Sequence, residues 1–292
     1  MMFDGFTAGR FDSGGVAIAY WTAGSGPPLL LIHGYPQTHV MWHQQVAALS
    51  EHFTVVAPDL RGYGDSAKPP GDADHGNYSK RTMAADLVGV MAHLSHDAFM
   101  VAGHDRGGRV AYRMALDHPG VVTKVAVLDI VPTKAVFDGT DRVLATAYFH
   151  WFMLIQPAPI PEALIGGAPD VWLDMAFGGW AAERQAFTPE ARAEYRRGFA
   201  SPEAIHATCE DYRAGASVDY AHDAVTMAAG DKIAVPLLVL WGERGLVGRK
   251  YDPLAVWRDY ASDVRGHALP CGHFLPEEAP AETLAALLAF FR

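Results

Sequence analysis

Cysteine is nearly absent from the 292 residues, and the two present, Cys209 and Cys271, lie far apart without the spacing of metal ligands. Neither a disulfide framework nor a structural zinc site is indicated, and two free thiols in a reducing compartment are expected. Positive charge is also scarce. Against 33 Asp and Glu there are 23 Lys and Arg, a formal charge of −10, which argues against nucleic acid or an anionic membrane as partner. A small anionic substrate would therefore need arginines gathered locally. No run reaches the ~18 apolar residues of a membrane span, and Met1 to Gly15 lacks an apolar stretch of signal-peptide length, so a soluble, cytoplasmic protein is expected. Internal repeats, low-complexity tracts and long charge runs are missing too, while half the residues are apolar, enough for a sizeable core.

One further absence is a single hydroxyl. Val101-Ala102-Gly103-His104-Asp105-Arg106-Gly107-Gly108 follows an apolar run and opens a helical one, the layout of a nucleophile elbow, with Asp105 where serine is usual. A carboxylate needs no base to ionise it at neutral pH. Its attack on carbon leaves an ester on the protein, so the expected chemistry is displacement at a carbon centre.

Around this stretch, apolar runs and helical patterns alternate. Strands are predicted over Val16 to Trp21, Pro27 to Ile32, Phe53 to Pro58, Ala98 to Gly103, Lys124 to Ile130, Pro236 to Trp241 and Gly266 to Pro270. Helices are predicted over Met83 to Leu94, Gly108 to His118, Leu254 to Tyr260 and after Pro280. From Pro132 to about Val225, aromatic and helical segments replace the alternation. The expected architecture is α/β: a core of residues 1–131 and 226–292 built on a mostly parallel sheet with helices on both faces, and an inserted helical cap of residues 132–225. Asp59 and Asp65, among the glycines of Asp59 to Ser66, suit turn structure better than catalysis.

An aspartyl ester needs a base to activate the water that hydrolyses it, and His273, in a loop after the last strand, can serve. Asp129 can orient that imidazole, giving the order nucleophile, acid, histidine; Glu243 is the reserve, since Gly245 stands where the other usual acid would fall. Backbone N–H groups of Tyr35 and Arg106 would form the oxyanion hole. Arg106 and Arg109 sit one turn apart at the start of a helix, where positive charge opposes the helix dipole at a cost of ~0.3–1 kcal/mol each. Either they grip a substrate carboxylate, or they pair with protein acids such as Glu243 or Asp129; Arg113 reads more readily as structural. His33 and His104 read as structural residues of turns, and Cys271 as loop packing.

Taken together, His33-Gly34-Tyr35-Pro36, Asp59 to Ser66, Gly103 to Gly107 and Gly272-His273-Phe274 resemble the α/β-hydrolase superfamily with an Asp nucleophile. Within it, Asp105-Arg106-Gly107-Gly108-Arg109, Asp129, His150-Trp151, Tyr212 and Asp252-Pro253-Leu254-Ala255-Val256-Trp257 resemble the fluoroacetate dehalogenases. That resemblance implies hydrolysis of a haloacetate to glycolate and halide without cofactor or metal, and suggests a homodimer. It assigns the carboxylate to Arg106 and Arg109 and the departing halide to His150, Trp151 and Tyr212, with Trp180 as a wall of the pocket or part of the core. Each of those three side chains can donate a hydrogen bond to a halide, and bonds to a charged partner are worth ~1.5–3 kcal/mol. The alternatives are an epoxide hydrolase, whose cap tyrosine would come from Tyr148, Tyr195, Tyr212 or Tyr220, a haloalkane dehalogenase, or a catalytically silent ligand receptor. Neutral epoxides and haloalkanes gain nothing from two buried cations, which disfavours both.

Overall fold

In the computed structural model, which describes residues 2–292, the predicted alternation becomes one sheet. Among the described residues its strands are β1 (Thr7–Ser13), β2 (Val16–Ala23), β3 (Pro28–Ile32), β4 (Thr54–Pro58), β5 (Phe99–His104), β6 (Val122–Leu128), β7 (Leu237–Gly242) and β8 (Val264–Leu269), in the order β1-β2-β4-β3-β5-β6-β7-β8. β1 and β2 pair antiparallel and β2 meets β4 antiparallel, while every later pairing is parallel. Strands buried on both faces read as continuous apolar runs, which is why β3 to β7 are visible in the sequence. β1 is not: its exposed, polar TAGRFDS carries no such signal.

The helices before the insertion are α1 (Val46–Ser50), α2 (Lys80–His93) and α3 (Arg106–Asp117). α2 begins three residues earlier than the apolar spacing suggests, because the Ser79 hydroxyl accepts from Thr82 N–H and caps it. Between β6 and β7 run α4 (Thr133–Asp138), α5 (Arg142–Ala147), α6 (Phe149–Leu154), α7 (Ile160–Gly166), α8 (Pro169–Gly179), α9 (Pro189–Phe199), α10 (Pro202–Ala214) and α11 (Tyr220–Ala229). Proline opens α8, α9 and α10, where its missing N–H costs nothing. A π-helical turn, Gly215–Asp219, joins α10 to α11. α12 (Leu246–Lys250), α13 (Pro253–Arg258), α14 (Leu275–Glu278) and α15 (Pro280–Phe291) complete the chain. No described helix is long and apolar enough to cross a membrane.

Local packing forces the turn from β5 into α3. A Cβ on Gly103 would lie 2.3 Å from the Gly107 carbonyl oxygen, and one on Gly107 would lie 2.3 Å from the His33 carbonyl oxygen. With no room for side chains there, helix and strand close up and Asp105 takes the strained φ of 46° and ψ of −115°. α3 consequently starts at Arg106, immediately after the turn. Trp257, fully buried in α13, donates to the Ile130 carbonyl at 3.0 Å and packs edge-on against Tyr112, propping the segment after β6.

A Gly107→Ala variant is expected to lose ~1–3 kcal/mol of stability or more, because backbone rather than a movable side chain blocks the new methyl. The midpoint of urea unfolding measures it, and an unchanged midpoint would contradict the close-approach argument.

Candidate active site

Three parallel strands deliver their functional residues to the same end of the sheet. Asp105 follows β5 and Asp129 follows β6, while His273 stands in the loop beyond β8. Asp105 Oδ2 accepts the Tyr35 N–H at 3.0 Å, so one carboxylate oxygen already occupies an amide pocket. His273 Nδ1 lies 2.7 Å from Asp129 Oδ2, and the Gly242 N–H donates to Asp129 Oδ1 at 3.0 Å. Asp129, at φ of 51°, is thus held from two sides. The reserve acid Glu243 is exposed, and a Cβ at Gly245 would sit 3.5 Å from both Asp129 oxygens. His104 Nε2 donates to the His273 carbonyl at 2.7 Å, and His273 N–H donates to the Trp180 carbonyl at 3.1 Å. His104 is therefore a brace for the histidine loop.

A cavity of about 310 Å³ opens on this group, lined in part by Asp105, His273, His150, Trp151 and Trp180. The His150 ring lies 4.2 Å from Trp180 and 5.9 Å from Tyr212, and Trp151 lies 5.9 Å from Tyr212, so residues from α6, α10 and the position just after α8 converge. Arg106, Arg109 and Tyr212 are not among its lining residues. Both guanidiniums stack over the Trp151 ring, at 5.7 and 4.6 Å, and Arg106 also covers Tyr212 at 4.2 Å.

The arginines divide between the two readings made from sequence. Arg106 pairs with a protein acid, though neither of those expected: Nε and Nη2 donate to Asp211 at 3.1 and 2.7 Å. Its Nη1 is buried with no partner. Among the described residues Arg109 meets no acid within ion-pair distance; Nη1 donates to the Val131 carbonyl and Thr133 Oγ1, and Nε is buried without a partner. Arg113 bonds Asp117 and Thr226, and its Nε, like the Arg109 Nε, is buried without a partner among the described residues. Asp59 accepts from the His39 and Asp65 backbone N–H groups, a turn role as expected.

The sequence model of the alpha/beta hydrolase fold matches residues 27–280, which include all three of these strand-end residues. The chain is an alpha/beta hydrolase. It is 44% identical over 290 residues to a fluoroacetate dehalogenase of Burkholderia sp, covering 99% of this chain and 95% of that one. It is 36% identical over 282 residues to a soluble epoxide hydrolase of Corynebacterium sp. (strain C12), covering 95% and 94%. A solved chain from Nostoc sp PCC 7120 superimposes with a TM-score of 0.97 at 55% identity, covering 99% and 98%.

In this hydrolase the charges around Asp105 are set by burial and by their neighbours. Burial pushes the Asp105 carboxyl up, but the facing His273, His104, Arg106 and Arg109 outweigh it and leave it below the ordinary carboxylate value. Burial pulls the His273 imidazole down, and the hydrogen bond to Asp129, with the charges of Asp129 and Asp105, more than reverses it. His150 has no such partner, so burial drives it to about 3 and keeps it neutral. Of the tyrosines open to an epoxide role, Tyr195 bonds Glu277 and Tyr220 bonds Asp138, both away from the cavity. Tyr148, which lines the cavity, and Tyr212 remain.

An Asp129→Asn variant removes the largest upward influence on His273. Its imidazole, held above the ordinary histidine value in the wild type, should then titrate lower in an NMR pH series. An unmoved titration would show that Asp129 does not hold the ring in its charged form.

Proposed function

We propose that this hydrolase converts a haloacetate, with fluoroacetate the leading substrate, to glycolate and halide through an ester on Asp105. The observation that carries the reading is a pair of buried cationic donors, Arg106 Nη1 and Arg109 Nε, left without partners beside a buried carboxylate. Each unsatisfied buried donor costs about 1–3 kcal/mol, more when charged, and these two, unlike the equally unpartnered Arg113 Nε, belong to residues whose charge acts on Asp105, where a substrate carboxylate supplies the missing acceptors. The fluoroacetate dehalogenase relative supports the same substrate class.

In the first step Asp105 attacks the α-carbon in line with the carbon–halogen bond, forming the C–O ester bond as halide departs with the bonding pair. Fluoride is small, strongly hydrated and a poor leaving group, so several donors must meet its growing charge. The neutral imidazole of His150, the indole N–H of Trp151 and the hydroxyl of Tyr212 converge where they can supply that; no described acceptor takes the latter two. In the second step His273 takes a proton from water, whose oxygen attacks Asp105 Cγ. The Tyr35 N–H that holds Oδ2 stabilises the oxyanion, joined by the Arg106 N–H. Collapse expels glycolate, which takes its proton from His273, and Asp105, regenerated with one oxygen from solvent, releases the second proton of the water to solvent.

In labelled water under single-turnover conditions, solvent oxygen should enter Asp105 before it appears in glycolate, as read by mass spectrometry of the active-site peptide. Label passing straight to product rules out the ester. In His273→Asn the ester should accumulate at the intact-protein level.

Acid should slow the second step and spare the first. Asp105, held low, stays ionised and continues to displace halide, whereas His273 must be neutral to act and is protonated as pH falls through its raised value. Quenched steady-state samples of the wild type should therefore show more ester at about pH 5 than at about pH 8. A constant ester fraction would remove His273 from the second step.

An epoxide hydrolase is the second reading, favoured by the Corynebacterium relative and by the unpaired Tyr212 hydroxyl. Halide release from fluoroacetate, chloroacetate and a neutral haloalkane, assayed beside hydrolysis of styrene oxide, separates the activities.

A further inference from the structure

Arg106 belongs to a buried cluster of four charges drawn from both parts of the chain. Asp211 in α10 takes Arg106 Nε and Nη2 on its carboxylate, and its carbonyl accepts Nη2 at 2.8 Å. On the other side of that carboxylate sits the Lys80 ammonium, at the start of α2, which also reaches Asp219 Oδ2 at 3.2 Å. Asp219, in the π-helical turn, accepts the Lys80 backbone N–H at 2.8 Å, and the Tyr63 hydroxyl donates to Asp211 Oδ2 at 2.6 Å. None of the four charged residues is more than 3% exposed.

Two cations and two anions sum to zero. Asp211 alone would both fix the guanidinium and neutralise it, leaving little pull on a second carboxylate. Lys80 offsets that negative charge from behind. The cluster also accounts for why only Nη1 of Arg106 is left unpaired: the other two nitrogens are committed to Asp211.

We infer that Lys80 and Asp211 are positioning residues that set the strength of the carboxylate subsite: Asp211 fixes the Arg106 guanidinium, and Lys80 keeps that guanidinium attractive to a substrate anion. This rests on the reading of the substrate as a carboxylate. It also couples substrate charge to the seating of the insertion, since Asp211 and Asp219 come from the inserted helices whereas Lys80, Tyr63 and Arg106 come from the core.

The test is the sign of two opposite changes, which a purely structural role would not produce. Lys80→Met leaves the cluster net negative, and Asp211→Asn leaves it net positive while retaining an oxygen that can accept from Arg106. Glycolate, which is not turned over, is titrated calorimetrically into each protein, with thermal melting as a measure of folding. The dissociation constant should rise about tenfold or more in Lys80→Met, fall severalfold in Asp211→Asn, and return to within about threefold of wild type in the double variant. Weakening in both single variants, or no recovery in the double, overturns the inference. Should Lys80→Met not fold, Asp211→Asn decides alone: tighter binding supports the inference and weaker or equal binding overturns it. Wild-type protein that does not take up glycolate would instead overturn the carboxylate reading, and this inference with it.

Discussion

The close approach of α3 to β3 is the constraint from which the site follows. Gly107 lies against the Ile32 and His33 carbonyls, and Gly103 against the first turn of α3. Only with those contacts made does the chain reverse sharply enough to place Asp105 in its strained conformation and its Oδ2 on the Tyr35 N–H. Strain at such a residue persists because the surrounding sheet determines its neighbours on both sides. Here β3 supplies one wall and β6 the other, through the Asp105 N–H on the Leu128 carbonyl.

Around that turn the interior holds an unusual amount of charge, and its arrangement is what makes the burial tolerable. Burying a single ion is expensive, while a group paired and fully hydrogen-bonded recovers much of the cost. Asp129 faces His273 and Gly242, Asp211 faces Arg106, Lys80 and Tyr63, and Arg109 has two neutral acceptors. Among the described residues eleven buried side-chain polar atoms have no partner, and four of them, His104 Nδ1, Arg106 Nη1, Arg109 Nε and His150 Nδ1, belong to residues gathered about Asp105.

The sequence carried the elbow, because glycine spacing around Asp105 is a local demand of one turn. It also carried the parallel strands, whose apolar runs follow from burial on both faces, and the expectation that Asp129 rather than Glu243 meets His273, which rested on Gly245 and agrees with the 2.7 Å contact. The polar edge strand β1 and the Ser79-capped start of α2 left no apolar pattern to read. Asp211 was invisible for another reason. Nothing near it in Cys209-Glu210-Asp211-Tyr212 says that it will meet Arg106 and Lys80, each more than a hundred residues away.

By itself, then, the sequence determined which residue types stand at the strand ends and the order in which they occur, since Asp105, Asp129 and His273 each belong to a short local motif. Tertiary structure alone decided how the arginines are shared. A guanidinium has enough donors to serve a protein acid and a ligand together, and which nitrogens remain free depends on helices brought against α3 from the far side of the insertion. Charge at one position is a local property, but its compensation is set in three dimensions.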